Sequence, residues 1–146
     1  TSVTSFGNKI ALKKNNLKFD DYLKSVFNFK SGLIGQINAN LACVHKHHHT
    51  MKIYGSKKTF VYDDKGPRIH SSRNENSLPR RLKIKTLPDN KTTLLKKFFR
   101  TFKKKKQNYY ENTNYELNLV SILNASVKSS KNQKKIKIKY LCKKND

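Results

Sequence analysis

The sequence predicts an α+β fold, an open and mostly antiparallel β-sheet with two helices packed on one face. Three observations predict it. Short alternating apolar runs separated by Gly, Asn and Asp turns fill the first half of the chain. After Asp89-Asn90 the apolar spacing changes from two residues to three and four, the change expected on passing from strand to helix. An alternating segment near the end, Ile136, Ile138 and Tyr140 between lysines, returns to the strand period. Strands in sequence followed by helices in sequence point to a sheet covered on one side.

The first strand is read over residues 2–12, ending at Lys13-Lys14-Asn15-Asn16. From Asp21 to Lys30, Leu23, Ser25, Phe27 and Phe29 fall on one face, with Tyr22, Lys24, Val26 and Asn28 on the other. Lys30-Ser31-Gly32 turns the chain into a second alternating run, Leu33 to Ala42. Such a pair joined by a short Gly-containing turn signals a hairpin. Strands are then expected at Thr50–Tyr54, Thr59–Tyr62 and Pro67–His70, the last opening on a proline, which is tolerated at a strand start. The polar stretch Ser71 to Arg81 reads as a loop, and Leu82, Ile84 and Thr86 as a further strand.

Leu94, Leu95, Phe98, Phe99 and Phe102 place the first helix over 92–103, where Lys103–Lys106 suit the negative end of its dipole. The second helix is expected to start at an Asn114 N-cap with Glu116 in its first turn. Its buried stripe is expected at Leu119, Val120, Ile122, Leu123, Ser126 and Val127.

The 146 residues are the size of a single domain, and a chain of this length buries roughly 68–70% of its unfolded surface, enough for a core. Thirty-three Lys and Arg against nine Asp and Glu give a net charge of +24. That field favours anionic partners such as nucleic acid, acidic lipid, or phosphorylated and carboxylated sugars. Only Arg68, Arg73, Arg80, Arg81 and Arg100 carry the guanidinium fork that specific phosphate and base readout uses; the other positive charges are lysines. A diffuse basic surface would give only nonspecific nucleic-acid binding. Cys43 and Cys142 are too few for a disulfide framework and are expected reduced, in the cytoplasm. No apolar run approaches the ~20 residues of a membrane span. The chain opens Thr-Ser-Val and its one methionine is Met51, so it is expected to begin inside a longer reading frame or to have been cut.

Several polar side chains are candidates for binding. Asn38 and Asn40 share a strand face, either solvated or turned to a sugar pocket where amides both donate and accept. His45, His47, His48 and His49 lie in one loop, which is either an ordinary polar loop or a sugar- or phosphate-binding one. No carboxylate stands at ligand spacing beside them, and adjacent histidines do not converge easily, so no metal site is expected. Arg73 can grip a carboxylate or phosphate bidentately, or be solvated.

Three segments in this order resemble the Gfo/Idh/MocA oxidoreductase family. They are Asp20-Asp21-Tyr22 with the hairpin Val26 to Asn40, then Met51-Lys52-Ile53-Tyr54-Gly55-Ser56-Lys57-Lys58-Thr59-Phe60, then Val120 to Ser130 with Ile136 to Tyr140. The resemblance implies a single C-terminal, substrate-binding and oligomerising domain over 1–146, truncated on its N-terminal side. It implies the substrate side of an NAD(P)-dependent sugar or nucleotide-sugar dehydrogenase, with Asn38, Asn40, His45, His47 and Arg73 as substrate contacts. A homo-oligomer through the sheet, most simply a dimer, is implied as well. The family's Glu-Lys-Pro motif, which places its catalytic lysine, is absent, and its Asp/His pair falls outside the chain. No G-x-G-x-x-G turn exists for a dinucleotide. No catalytic, cofactor or metal residue is therefore expected here, and the chain alone is expected to be inactive. The competing reading is a Lys-rich polyanion- or nucleic-acid-binding module.

Overall fold

A computed structural model describes residues 1–11, 18–83, 92–93, 95–96, 99–100 and 109–142, with backbone alone for 109–112. The strands are β1 (Ser2–Asn8), β2 (Tyr22–Asn28), β3 (Ile34–Asn40), β4 (Met51–Tyr54), β5 (Thr59–Tyr62), β6 (Arg68–His70), β7 (Arg80–Arg81) and β8 (Ile136–Lys137). One long helix, α1 (Tyr109–Asn132), precedes β8. The α+β class and the antiparallel pairing agree with the sequence.

Two four-stranded antiparallel sheets form, ordered β3-β2-β1-β8 and β4-β5-β6-β7, where one was expected. They belong to two compact units, residues 1–43 with 106–146, and residues 44–105. The division falls where β3 stops. The Asn40 side chain accepts the N–H of Ala42 at 3.0 Å, a local turn that curls the backbone out of the ladder.

In the first unit the register is continuous across three strands. Val3 pairs with Phe27 and Phe27 with Gly35, Ser5 with Ser25 and Ser25 with Ile37, and Gly7 with Leu23 and Leu23 with Ala39. Gly32 makes the β2–β3 turn at φ +84°, a conformation that favours glycine. The core is Val3, Phe27, Ala125 and Ile138, with Ile122 and Ile136 against it. Leu23, Ser25 and Phe27 thus share a face as their alternation requires, and that face looks toward α1.

Of the two expected helices, the second packs on the sheet of the first unit. Thr92, Thr93, Leu95, Lys96, Phe99 and Arg100 have helical backbone, and the rest of the 92–103 segment lies outside the described residues. Leu95 and Phe99, expected to be core, are exposed. The second helix begins at Tyr109, so Asn114 is interior and not its N-cap. Between 109 and 118 the chain has neither Gly nor Pro to stop it, and a helix anchored downstream propagates freely into such a segment.

The buried side of α1 also differs from the expected one. Ser121, Ala125, Ser126 and Ser129 are buried and Ile122 is partly so, whereas Leu119, Val120, Leu123 and Val127 are exposed. Small side chains let the helix backbone approach β1 and β8 closely. The C-terminus of α1 is a Schellman closure, in which Lys134 N–H bonds the Ser129 carbonyl and Gln133 N–H that of Ser130. Gln133 holds the left-handed position at φ +51°.

The last strand is shorter than its alternation suggested. Ile138 N–H still bonds the Thr1 carbonyl, but Leu141 N–H goes to Ser121 Oγ at 3.0 Å and Cys142 N–H to Asn118 Oδ1 at 3.2 Å. Helix side chains take amides that a longer ladder would have used.

In the second unit β5 is central, pairing Phe60 with Ile53 and with Ile69. Just before the strand expected at 82–86, Arg80–Arg81 pair with Ile69 and Arg68, and Leu82 N–H bonds the Pro67 carbonyl. Ile84 and Thr86 lie outside the described residues. Among the described residues no helix is long and apolar enough to cross a membrane. Both cysteines are free.

Candidate functional site

The first unit carries a groove that the sequence did not announce. It has a volume of about 360 Å³ and lies between the second half of α1 and the ends of β2 and β3. Leu23, Ala39, Leu41 and Val127 give it an apolar floor, and Phe19 stands beside them. Asp20, Asp21, Ser130, Lys18 and Lys131 supply polar groups.

The corner at 18–21 is anchored at Asp21. Asp21 N–H bonds the Asn8 carbonyl at 3.0 Å, and the Asp21 carbonyl accepts Leu41 N–H at 2.8 Å. This stitches the corner to the ends of both β1 and β3. Gly7 makes room for it, because a Cβ there would collide with the Asp20 carboxylate and fall 2.8 Å from Ser130 Oγ. The signal available in the sequence was the Asp20-Asp21 pair. What it lacked was any hint that α1 would cross close to it.

The groove opens onto a larger apolar surface. Tyr115, Leu119, Leu123 and Val127 recur every four residues on the exposed side of α1, and Leu123 is 63% exposed. Ile37 sits on the helix-facing side of β3 by register and is 61% exposed. α1 packs on β1 and β8, so the same side of β3 is left open.

Asn38 and Asn40 lie on the opposite face of this sheet, as their alternation required. Asn38 stands in a row with Lys24 and Phe6, and Asn40 in a row with Tyr22 and Asn8. Both are exposed. Asn40 Oδ1 is engaged by Ala42 N–H, so Asn38 offers the freer amide.

His45, His47 and Arg73 belong to the second unit. The His45 and His48 rings lie with centroids 3.9 Å apart and planes tilted by 44°, and their Nδ1 atoms lie 2.8 and 3.1 Å from the Lys46 carbonyl. His47 meets His49 edge to face at 5.0 Å. His45 Nε2 lies 3.4 Å from Asp64 Oδ2. Arg73 is exposed in the loop after β6, where Asn74 N–H bonds Ser72 Oγ and Asn76 N–H bonds Asn74 Oδ1.

Asp63 and Arg68 form a two-pronged ion pair with Nη1–Oδ1 at 2.5 Å and Nη2–Oδ2 at 2.7 Å. The hydrogen bonds from Arg68 hold the Asp63 carboxyl well below the usual carboxylate range. The same bonds raise the Arg68 guanidinium above its ordinary value. Asp63 Oδ1 also accepts Lys65 N–H, so the pair fixes the β5–β6 turn and is structural.

Among the described residues no left-handed glycine opens a helix. The glycines with positive φ, Gly32 and Gly66, sit in strand-to-strand turns. A pyrophosphate cradle needs such a turn to open a helix.

The chain matches no model of a protein family and no curated protein sequence. Among solved structures it is similar in fold to levoglucosan dehydrogenase, an oxidoreductase of the Gfo/Idh/MocA type. Against the complex of that enzyme with NADH and L-sorbose the TM-score is 0.68 at 11% identity, covering 96% of this chain and 46% of the other. Against its complex with NADH the TM-score is 0.66 at 13% identity, covering 97% and 45%. The complex with NADH and levoglucosan gives 0.66 at 13% identity, covering 94% and 44%. The chain therefore spans less than half the length of these enzymes. The likeness is one of fold, the fold expected from the three sequence segments.

Proposed function

We propose that this chain is the substrate-side domain of an NAD(P)-dependent sugar or nucleotide-sugar oxidoreductase of the Gfo/Idh/MocA family. It would act with a nucleotide-binding half that these residues do not supply. The observation that carries this reading is the fold shared with levoglucosan dehydrogenase over 96% of the chain. The uncovered apolar face of the first unit supports it independently. Leu123, Val127 and Ile37 are exposed on that side, and an open apolar face marks a partner surface. A further polypeptide segment packed there would bury it.

In this reading Asn38, Asn40, His45, His47 and Arg73 are substrate contacts, Asn38 through its amide and Arg73 toward an anionic group. The β1–β3 face opposite α1, with exposed Phe6 and Ile34, serves self-association, most simply as a twofold dimer. The free cysteines suit a cytoplasmic setting. The polyanion-binding alternative gains nothing from the solved structures named above.

Two titrations test the proposal. Amide NMR spectra of the chain, recorded with levoglucosan, L-sorbose and a nucleotide sugar, should shift at Asn38 or at the His45–His47 and Arg73 loops. Silence at all five positions with every sugar would reject them as contacts. NADH fluorescence should stay unchanged on adding the chain, since the dinucleotide turn and the catalytic lysine are lacking. Saturable binding there would overturn the assignment to the substrate side.

A further inference from the structure

We propose that one face of the β6–β7 hairpin binds a doubly charged phosphate group of a small molecule, gripped by Arg81 with His70 beside it. Lysine carries most of the positive charge of this chain. Yet four of its five arginines, Arg68, Arg73, Arg80 and Arg81, fall within this hairpin. Between residues 44 and 83 the acids are Asp63, Asp64 and Glu75 alone.

The register puts two of these arginines side by side. Arg81 pairs with Arg68, Arg68 with Val61 and Val61 with Lys52, so the four share one cross-strand row on one face. The next row on that face is Tyr54, Thr59 and His70. Leu82 N–H bonds the Pro67 carbonyl at 2.9 Å, which makes the adjacent Arg68 and Arg81 a non-hydrogen-bonded pair. Side chains of such a pair stand closest in an antiparallel ladder, with Cα atoms about 4.5 Å apart. Like charges placed directly opposite repel and cost stability.

The neighbouring acids compensate only one of the two. Asp63 turns both carboxylate oxygens on Arg68, and Asp64 stands against His45. Arg81 is exposed and has no ion pair among the described residues. Its planar fork of N–H donors matches a phosphate bidentately. His70 is half-buried on the same face, diagonal to Arg81 and within its reach, and its ring can donate an N–H to the same anion. Lys52, exposed at the far end of the row, adds attraction at longer range. A phosphate monoester or pyrophosphate thus offsets the Arg68–Arg81 repulsion and takes up the uncompensated fork. A phosphodiester, singly charged and flanked by two sugars, offers less on both counts. Arg80 points to the opposite face, in a row with Ile69, Phe60 and Ile53.

This site does not rest on the sugar-binding reading, and inorganic pyrophosphate tests it on the chain itself. Calorimetric titration at moderate salt should show one equivalent bound, and pyrophosphate should raise the melting temperature of the unaltered chain. R81Q should weaken binding by roughly tenfold or more, and R81K, which keeps the charge without the fork, by several-fold. H70Q should weaken it too. R80Q, which removes an equal charge from the adjacent residue on the other face, should change it less than about twofold once salt screens the distant charge. Arg80 and Arg81 are exposed, and amide NMR spectra should show their variants folded. A sugar 1-phosphate should displace pyrophosphate, and a duplex oligonucleotide at equal phosphate concentration should not. Absence of pyrophosphate binding would overturn the proposal. So would unchanged binding in R81K or H70Q, or a loss in R80Q as large as in R81Q, which would mark attraction by net charge alone. Displacement by the oligonucleotide ahead of the sugar phosphate would also overturn it, giving the face to a nucleic-acid backbone.

Discussion

The hydroxyl oxygen of Ser129, on α1, accepts the backbone N–H of Ser5, on β1, at 2.9 Å. The same hydroxyl donates to the Lys134 carbonyl at 2.6 Å. Ser129 is fully buried. β8 pairs with β1 only at Ser2 and Val3, so the Ser5 amide lies beyond the end of the neighbouring strand. One side chain thus completes a sheet edge and fastens the turn that leads into β8.

Ser129→Ala should destabilise the first unit by about 1–3 kcal/mol, the cost of a buried donor left without a partner. Urea denaturation measures it, and amide exchange should show the Ser5 N–H losing protection selectively. Unchanged protection at Ser5 would refute the role given to this hydroxyl.

Gln133→Gly should stabilise the chain by roughly 0.5–1 kcal/mol, because glycine occupies the left-handed closing position of the helix without a Cβ penalty. Asn at 133 should give part of the gain. A melting temperature below that of the unaltered chain would contradict the φ assigned there.

The Asp63–Arg68 pair sets a pH dependence of known sign. The Asp63 pKa is depressed in the folded state, so its contribution is complete above the ordinary carboxylate pKa and is lost as pH falls toward the depressed value. Local stability of the β5–β6 turn should therefore drop on acidification below the ordinary carboxylate range. In Asp63→Asn that part of the acid response should vanish. Amide exchange of Lys65 and Gly66 across the acid range measures both.

The face of β1–β3 opposite α1 should mediate self-association at moderate salt, where the net charge of +24 is screened. Light scattering should report a dimer, and Phe6→Glu should return it to monomer. A monomer at all concentrations would remove this face from consideration.

Binding to nucleic acid should be weak, indifferent to sequence and steeply dependent on salt. Each neutralised phosphate of duplex DNA contributes a slope of about −0.9 in log K against log salt. Two unrelated duplexes titrated at low and high salt should lose affinity together. A preference for one of them that survives high salt would require base contacts and would revive the polyanion-binding reading.

Alternation and turn chemistry by themselves determined β1 through β6 to within a few residues. They also set the face of every β2 side chain, because a period of two leaves no freedom once one side is buried. They placed Asn38 and Asn40 together on one face. Tertiary structure decided what local pattern cannot encode. Leu119, Leu123 and Val127 look like core at helical spacing, yet serine and alanine are the buried side chains, since closeness of approach between helix and sheet ruled over hydrophobicity. The strands divided into two sheets after β3, where the alternation had suggested one. Asp20 and Ser130, far apart in sequence, came to line one groove beside Gly7, and Asp64 came to face His45. Each is a contact between segments whose separation along the chain hides it, and only folding brings the partners within ångströms.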